Sequence, residues 1–172
     1  AVSDQARVLE LSTRLLDLLE LLPGGRRDVL DAVRDELGRT QPRLTVELLS
    51  VKAVPAGAGV SYGHTFVTPE ATTLALAAMG YGDGMPRKAG NRAHVSLAAP
   101  NAKRLPIVGR VAMNAFVIDT GAAQVRAGDR AVVFGDPDRG ELSLSDWAAR
   151  VGETPVSVLV SVAAKVTLRE VP

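Results

Sequence analysis

The sequence predicts a mainly β protein, an antiparallel barrel or sandwich preceded by an N-terminal αα-hairpin, and three observations carry that prediction. Before about residue 42 the apolar residues recur at steps of three and four, the period of one helix face; after Pro42 they alternate or gather in short β-branched runs. Glycine and proline, 16 and 10 residues of the chain, punctuate the second part roughly every 8 to 12 residues, the turn spacing of an all-β domain. A chain of 172 residues with 47% hydrophobic and 23% charged residues can bury one good-sized core, or one core with a small appendage. Two units are expected: residues 1–42, a helical hairpin serving docking or dimerisation, and residues 43–172, the β domain.

In the first unit, Val8, Leu11, Leu15, Leu18, Leu19 and Leu22 line one face of a helix expected from Ser3 to Leu22, with Arg7, Glu10, Arg14, Asp17 and Glu20 opposite. Pro23-Gly24-Gly25 ends it, because proline disfavours helical geometry in the residue before it and glycine accepts a left-handed cap. A second helix follows, striped by Val29, Leu30, Val33 and Leu37, with Asp28 in its first turn and Gly38 as its cap. Strands are expected at Leu44 to Val51, Thr72 to Met79, His94 to Ala98, Leu105 to Val108, Ala115 to Asp119, Arg130 to Phe134 and Val156 to Thr167. One short helix interrupts them, capped by Ser143 or Ser145, carried by Asp146 to Arg150 and stopped by Gly152.

Composition narrows the function. No apolar run approaches the roughly 18 to 20 residues of a bilayer span, so no membrane role is expected. Twenty basic residues face nineteen acidic ones without clustering, which gives no phosphate-tracking surface and no expectation of a nucleic-acid partner. The absence of cysteine fits a reducing compartment, and the start of the chain lacks a signal-peptide pattern; a cytoplasmic protein is expected. His64 and His94, the only histidines, have too few acidic companions for a metal site.

The densest cluster is Gly80-Tyr81-Gly82-Asp83-Gly84-Met85-Pro86-Arg87, in which three glycines hold the backbone open around a tyrosine just after a strand. A tyrosine hydroxyl titrates near about pH 10 in a free peptide, so a tyrosine base near neutrality needs a cation or hydrogen-bond donor beside it. Alternatively the segment is a hairpin turn set by Asp83-Gly84, with Tyr81 covering the edge of the core.

Four segments in order then resemble one family: Val51 through Thr65 with its Val60-Ser61-Tyr62-Gly63-His64, Gly80 to Arg87, Pro106-Ile107-Val108-Gly109-Arg110-Val111-Ala112-Met113-Asn114, and Gly128-Asp129 before a β run. Together, from Leu44 to Leu168, they resemble the all-β C-terminal domain of the pyridoxal-phosphate alanine racemases. The resemblance implies a cofactor bound to a lysine of an N-terminal (β/α)₈ barrel, which these residues do not contain, and a tyrosine given in trans by the C-terminal domain. Tyr81 matches that catalytic tyrosine. Met113 and Asn114 match a substrate-binding methionine-aspartate loop, with asparagine keeping the shape and hydrogen bonding but not the charge. Asp83 and Arg110 are candidate supports, the latter through Met113 or through a structural ion pair.

Two further positions depart from the family. A phosphate-binding tyrosine would fall on or near Val156, and a terminal arginine would fall on Leu168 in Lys165-Val166-Thr167-Leu168. Lys52 is not the cofactor lysine: the family's tyrosine follows that lysine by four residues, whereas Tyr62 follows Lys52 by ten, so Lys52 is expected to face solvent from a strand. Lys88, Lys103 and Lys165 have no better claim. The expectation is that no cofactor is bound by this chain alone, pyridoxal phosphate entering only through a barrel-bearing partner. Three functions follow: a half-enzyme acting with such a barrel and inactive alone, a non-catalytic binding or regulatory module using the hairpin to dock or to form homo-oligomers, or a remnant of a longer racemase-like protein.

Overall fold

The computed structural model describes residues 4–24, 27–99 and 103–171. Ser3, Gly25 and Pro172, to which the sequence reading gave a helix start, a helix stop and a domain end, lie outside the described residues. In chain order the elements are β1 (Arg7–Ser12), α1 (Thr13–Leu21), α2 (Arg27–Leu37), β2 (Arg43–Val54), β3 (Gly59–Val60), β4 (Phe66–Val67), β5 (Thr72–Ala77), β6 (His94–Leu97), β7 (Arg104–Val108), β8 (Phe116–Asp119), β9 (Arg130–Phe134), α3 (Leu144–Val151), α4 (Pro155–Ala163) and β10 (Thr167–Val171).

Six strands close an antiparallel barrel in the order β2, β5, β8, β7, β6, β9 and back to β2. The long β2 makes closure possible, because its Leu44–Glu47 stretch pairs with β9 and its Leu48–Val54 stretch with β5 across a register shift at Leu48 and Ser50. Leu44, Val46 and Leu48 point inward and are buried. Helix α3 starts where Ser143 accepts a hydrogen bond from the Asp146 amide at 3.0 Å and stops at the left-handed Gly152. It plants Trp147 in the core, edge-on to Phe134 with ring centres 6.1 Å apart, and the indole donates to the His94 carbonyl at 3.1 Å.

Two expectations are corrected. Residues 7–12 are the strand β1, not the first turns of a helix. β1 lies between β2, antiparallel, and β10, parallel, and buries Val8, Leu9 and Leu11 on both faces, so its apolar spacing reflects two-sided burial rather than a helical stripe. Ser12 then accepts from the Leu15 amide at 3.3 Å and starts α1. The second correction concerns Val156 to Thr167, where a strand was expected and α4 precedes β10. Thr154 accepts from the Ser157 amide at 3.2 Å, Pro155 sits in the first turn, and packing of Val158, Leu159 and Val162 into the core overrides the β-branched sequence.

The helical hairpin is thus α1 and α2 alone. Their Leu15 and Val33 belong to the same hydrophobic core as Leu44, Ile107 and Trp147. No helix among the described residues is long and apolar enough to cross a membrane.

Candidate functional site

Strand β5 runs out through Ala78, Met79 and Gly80 into a 3₁₀ turn, Tyr81–Asp83. Gly80 is required there, since a Cβ would overlap the carbonyls of Ala112 and Met113. That close approach lets the Tyr81 amide donate to the Ala112 carbonyl at 3.0 Å and the Gly82 amide to the Met113 carbonyl at 2.8 Å. Beneath the turn, buried Asp83 accepts from the Gly80 amide at 2.9 Å and pairs with Arg7 at 3.2 Å. The structure therefore brings Tyr81, Met113 and Asn114 together at the surface, with Asp83 as their underpinning. Tyr81 is 41% and Met113 57% exposed.

A second tyrosine arrives from the other side. Tyr62 tops the β3–β4 arm, where Ser61, Gly63 and His64 have φ of 60°, 75° and 43°. Left-handed backbone at two non-glycine residues is costly and is held here by neighbours. Asn91, itself left-handed at φ 59°, anchors the residue after His64: it accepts from the Gly109 amide at 2.6 Å and donates to the Thr65 hydroxyl at 3.1 Å. Tyr62 is 48% exposed, and its hydroxyl accepts from the Arg87 guanidinium at 3.3 Å. The same guanidinium lies 5.0 Å from the centre of the Tyr81 ring, and the Arg110 guanidinium 5.4 Å from the centre of the Tyr62 ring.

The outcome is a row, Arg110, Tyr62, Arg87, Tyr81. Arg110 ends over Tyr62, and among the described residues it forms no ion pair. Sequence reasoning missed the chemistry of Tyr62 and Arg87. The available signal was Tyr62 itself, an exposed aromatic among serine, glycine and histidine. The Tyr62 oxygen has a donor in Arg87, whereas the Tyr81 hydroxyl has no hydrogen-bond partner among the described residues.

The residues of this chain do not fit pyridoxal phosphate. A Schiff-base lysine needs surroundings that shield it and orient the ring. Lys52, Lys103 and Lys165 are exposed, and Lys88 is exposed and paired with Glu153 at 3.0 Å. Val156 packs against the core and offers no hydroxyl to a phosphate, and Leu168 is exposed on β10 without a charge. Among the described residues no cluster of three or more histidine, aspartate or glutamate side chains has the arrangement of a metal site.

Residues 42–169 match the family "Alanine racemase, C-terminal domain". The alanine racemase of Frankia casuarinae is 44% identical over 128 residues, 74% of this chain and 33% of that protein. Among solved structures, the alanine racemase of D-cycloserine-producing Streptomyces lavendulae superimposes with a TM-score of 0.71 at 40% identity, covering 76% of this chain and 34% of that one. The Bartonella henselae alanine racemase, with covalently bound pyridoxal phosphate, superimposes with a TM-score of 0.68 at 25% identity, covering 76% of this chain and 35% of that one. The chain thus spans about a third of the length of the curated relatives it matches.

Proposed function

The chain belongs to the alanine racemase family, as its C-terminal domain, and on that premise we propose that it presents proton-transfer tyrosines, in trans, to a barrel that carries pyridoxal phosphate. The observation that carries this reading is the Arg87 guanidinium shared between the Tyr62 oxygen and the Tyr81 ring. Tyr62 offers its phenolic oxygen, which accepts from the Arg87 guanidinium at 3.3 Å, as one proton-transfer group. Tyr81, the residue to which the resemblance pointed, stands beside it, its ring centre 5.0 Å from the same guanidinium. Met113, fixed with Ala112 by backbone bonds to the Tyr81 turn, lines the approach with Asn114, which orients the substrate through hydrogen bonds without a charge.

The cofactor supplies the electron sink that makes an amino acid's α-proton removable; the chain contributes none of it and is inactive alone. Its partner is a barrel-bearing protein, with self-association through α1 and α2 as the other route to assembly. A chain without cysteine suits a reducing compartment, and the cytoplasm is its proposed site of action.

A second reading, a non-catalytic module, is favoured by Asn114, Val156 and Leu168, each of which lacks a group that the active family uses. The deciding experiment co-expresses this chain with the barrel portion of the Frankia casuarinae racemase and follows D-alanine formed from L-alanine. The expected result is co-purification, a pyridoxal absorbance and D-alanine production that Tyr81→Phe and Tyr62→Phe each lower by at least about a hundredfold, the scale of a lost general acid or base. A barrel that co-purifies with its cofactor and makes no D-alanine overturns the proposal in favour of the module.

A further inference from the structure

β1 and β5 occupy successive stretches of one edge of β2. Val46 faces Arg7, Leu48 faces Ala77, and between them the Glu47 carbonyl accepts from the Ala78 amide. The first residue of β1 therefore lies beside the exit of β5. Arg7 reaches across that junction: its Nη1 donates to the Ala78 carbonyl at 3.2 Å and stands 3.2 Å from Asp83 Oδ1. Asp83 Oδ2 in turn accepts from the Gly80 amide at 2.9 Å. One guanidinium thus grips the chain before Tyr81, at Ala78, and after it, at Asp83.

Both partners are largely shielded, with side-chain exposures of 21% for Arg7 and 12% for Asp83, and Arg7 is the one cation paired with Asp83 among the described residues. Without the guanidinium a shielded carboxylate is left uncompensated, and its cheapest escape is to turn toward water and let go of the Gly80 amide. The Gly80 amide is the last fixed point before Tyr81. Arg7 also lies outside residues 42–169, the stretch that the family covers.

We infer that Arg7 is a positioning residue for the Tyr81 turn, so that the N-terminal strand completes a site whose exposed side chains all come from the family domain. The inference rests on the reading of that turn as part of the presented site. It predicts that the family-matched segment without β1 does not hold Tyr81 in this geometry.

The test is residue-resolved amide hydrogen exchange on the full chain, with Arg7→Met, Arg7→Lys and the pair Arg7→Met with Asp83→Asn. Arg7→Met is expected to speed exchange at Gly80, Tyr81 and Gly82 by at least about tenfold and to leave β6, β7 and β9 unchanged. Arg7→Lys recovers part of that protection, and Asp83→Asn restores it in the double variant, since asparagine still accepts from Gly80 and leaves no charge unpaired. Unchanged exchange at these three amides, or acceleration spread evenly over the chain in every variant, overturns the inference. Should Arg7→Met not fold, Arg7→Lys is read alone, and only acceleration confined to the three amides supports the role. Exchange needs neither barrel nor cofactor: its failure removes the role of Arg7 and spares the racemisation reading, while missing D-alanine with intact exchange does the reverse. In an active mixture, Arg7→Met lowers kcat by about tenfold with little change in KM, and Arg7→Lys restores part of it.

Discussion

The closed barrel and the N-terminal layer of β1, α1 and α2 are equally dry at their centres, yet they meet their backbone demands differently. Leu44, Leu48, Ile118 and Phe134 in the barrel and Leu9, Leu11, Leu15 and Val33 in the layer are all inaccessible to solvent. Each barrel strand has a neighbour on both edges, so the barrel has no open edge of its own. The layer borrows its order: β1 is held by β2 on one side and by β10 on the other, and β10 is the outermost strand. Arg43 of β2 stands at the seam of barrel and layer, forking onto buried Glu141 at 2.8 to 3.1 Å and approaching Glu10 of β1 at 3.9 Å. Hydrogen bonding to Glu141 is the main cause that raises the Arg43 pKa, against the lowering by burial. The lesson is that exposure and support are divided: the barrel displays Tyr62, Tyr81 and Met113, while the layer supplies the charge that steadies one of them.

The largest effect is expected in the barrel. Trp147→Ala removes a fully buried indole, its bond to the His94 carbonyl and its contact with Phe134, and should cost about 3–5 kcal/mol in a denaturant titration. A loss below about 1 kcal/mol would mean that α3 is a cover rather than part of the core. The matching cut in the layer is Leu15→Ala, expected to cost about 2–4 kcal/mol. How it unfolds sharpens the comparison. Because β1 is an internal strand, the variant should still melt in a single transition; an early step confined to helical signal would split layer from barrel.

The sequence was readable where one physical cause acts at a time. Arg130 to Phe134, a short run with β-branched valines between Gly128-Asp129 and Gly135, was located to the residue although four of its five residues are buried. β1 is buried on both faces, which erases alternation and leaves Val8, Leu11 and Leu15 at helical steps across what is in fact a strand followed by a cap. α4 hides the opposite way, its valines favouring a strand until Thr154 and Pro155 start a helix. At the site, Tyr81, Met113 and Asn114 were nameable through the family resemblance, and Gly80 explains why they meet. The Arg87–Tyr62 bond joins residues 25 apart on separate loops, and the Arg7–Asp83 pair joins a mis-assigned helix to a turn. Neither leaves a local pattern, because both depend on barrel closure.

The smallest expected effect tests whether the barrel alone governs the response to mild acid. His94 begins β6; its carbonyl carries the Trp147 indole, and its Nδ1 is buried with no hydrogen-bond partner among the described residues. Burial first, then the charges of Arg150 and Arg104, lowers its pKa below the ordinary histidine value. The unfolded chain therefore binds a proton more readily than the folded one between the two pKa values, and stability rises with pH across that window. The contribution is complete above the unfolded value, about 6.5, and is lost as the pH falls through the folded one. Denaturation midpoints at about pH 7.5 and about pH 5.5 should differ in the wild type, and His94→Gln should narrow that difference while retaining a polar side chain of similar reach. The layer contains no histidine, so an acid response unchanged by His94→Gln would move the source of the sensitivity away from β6.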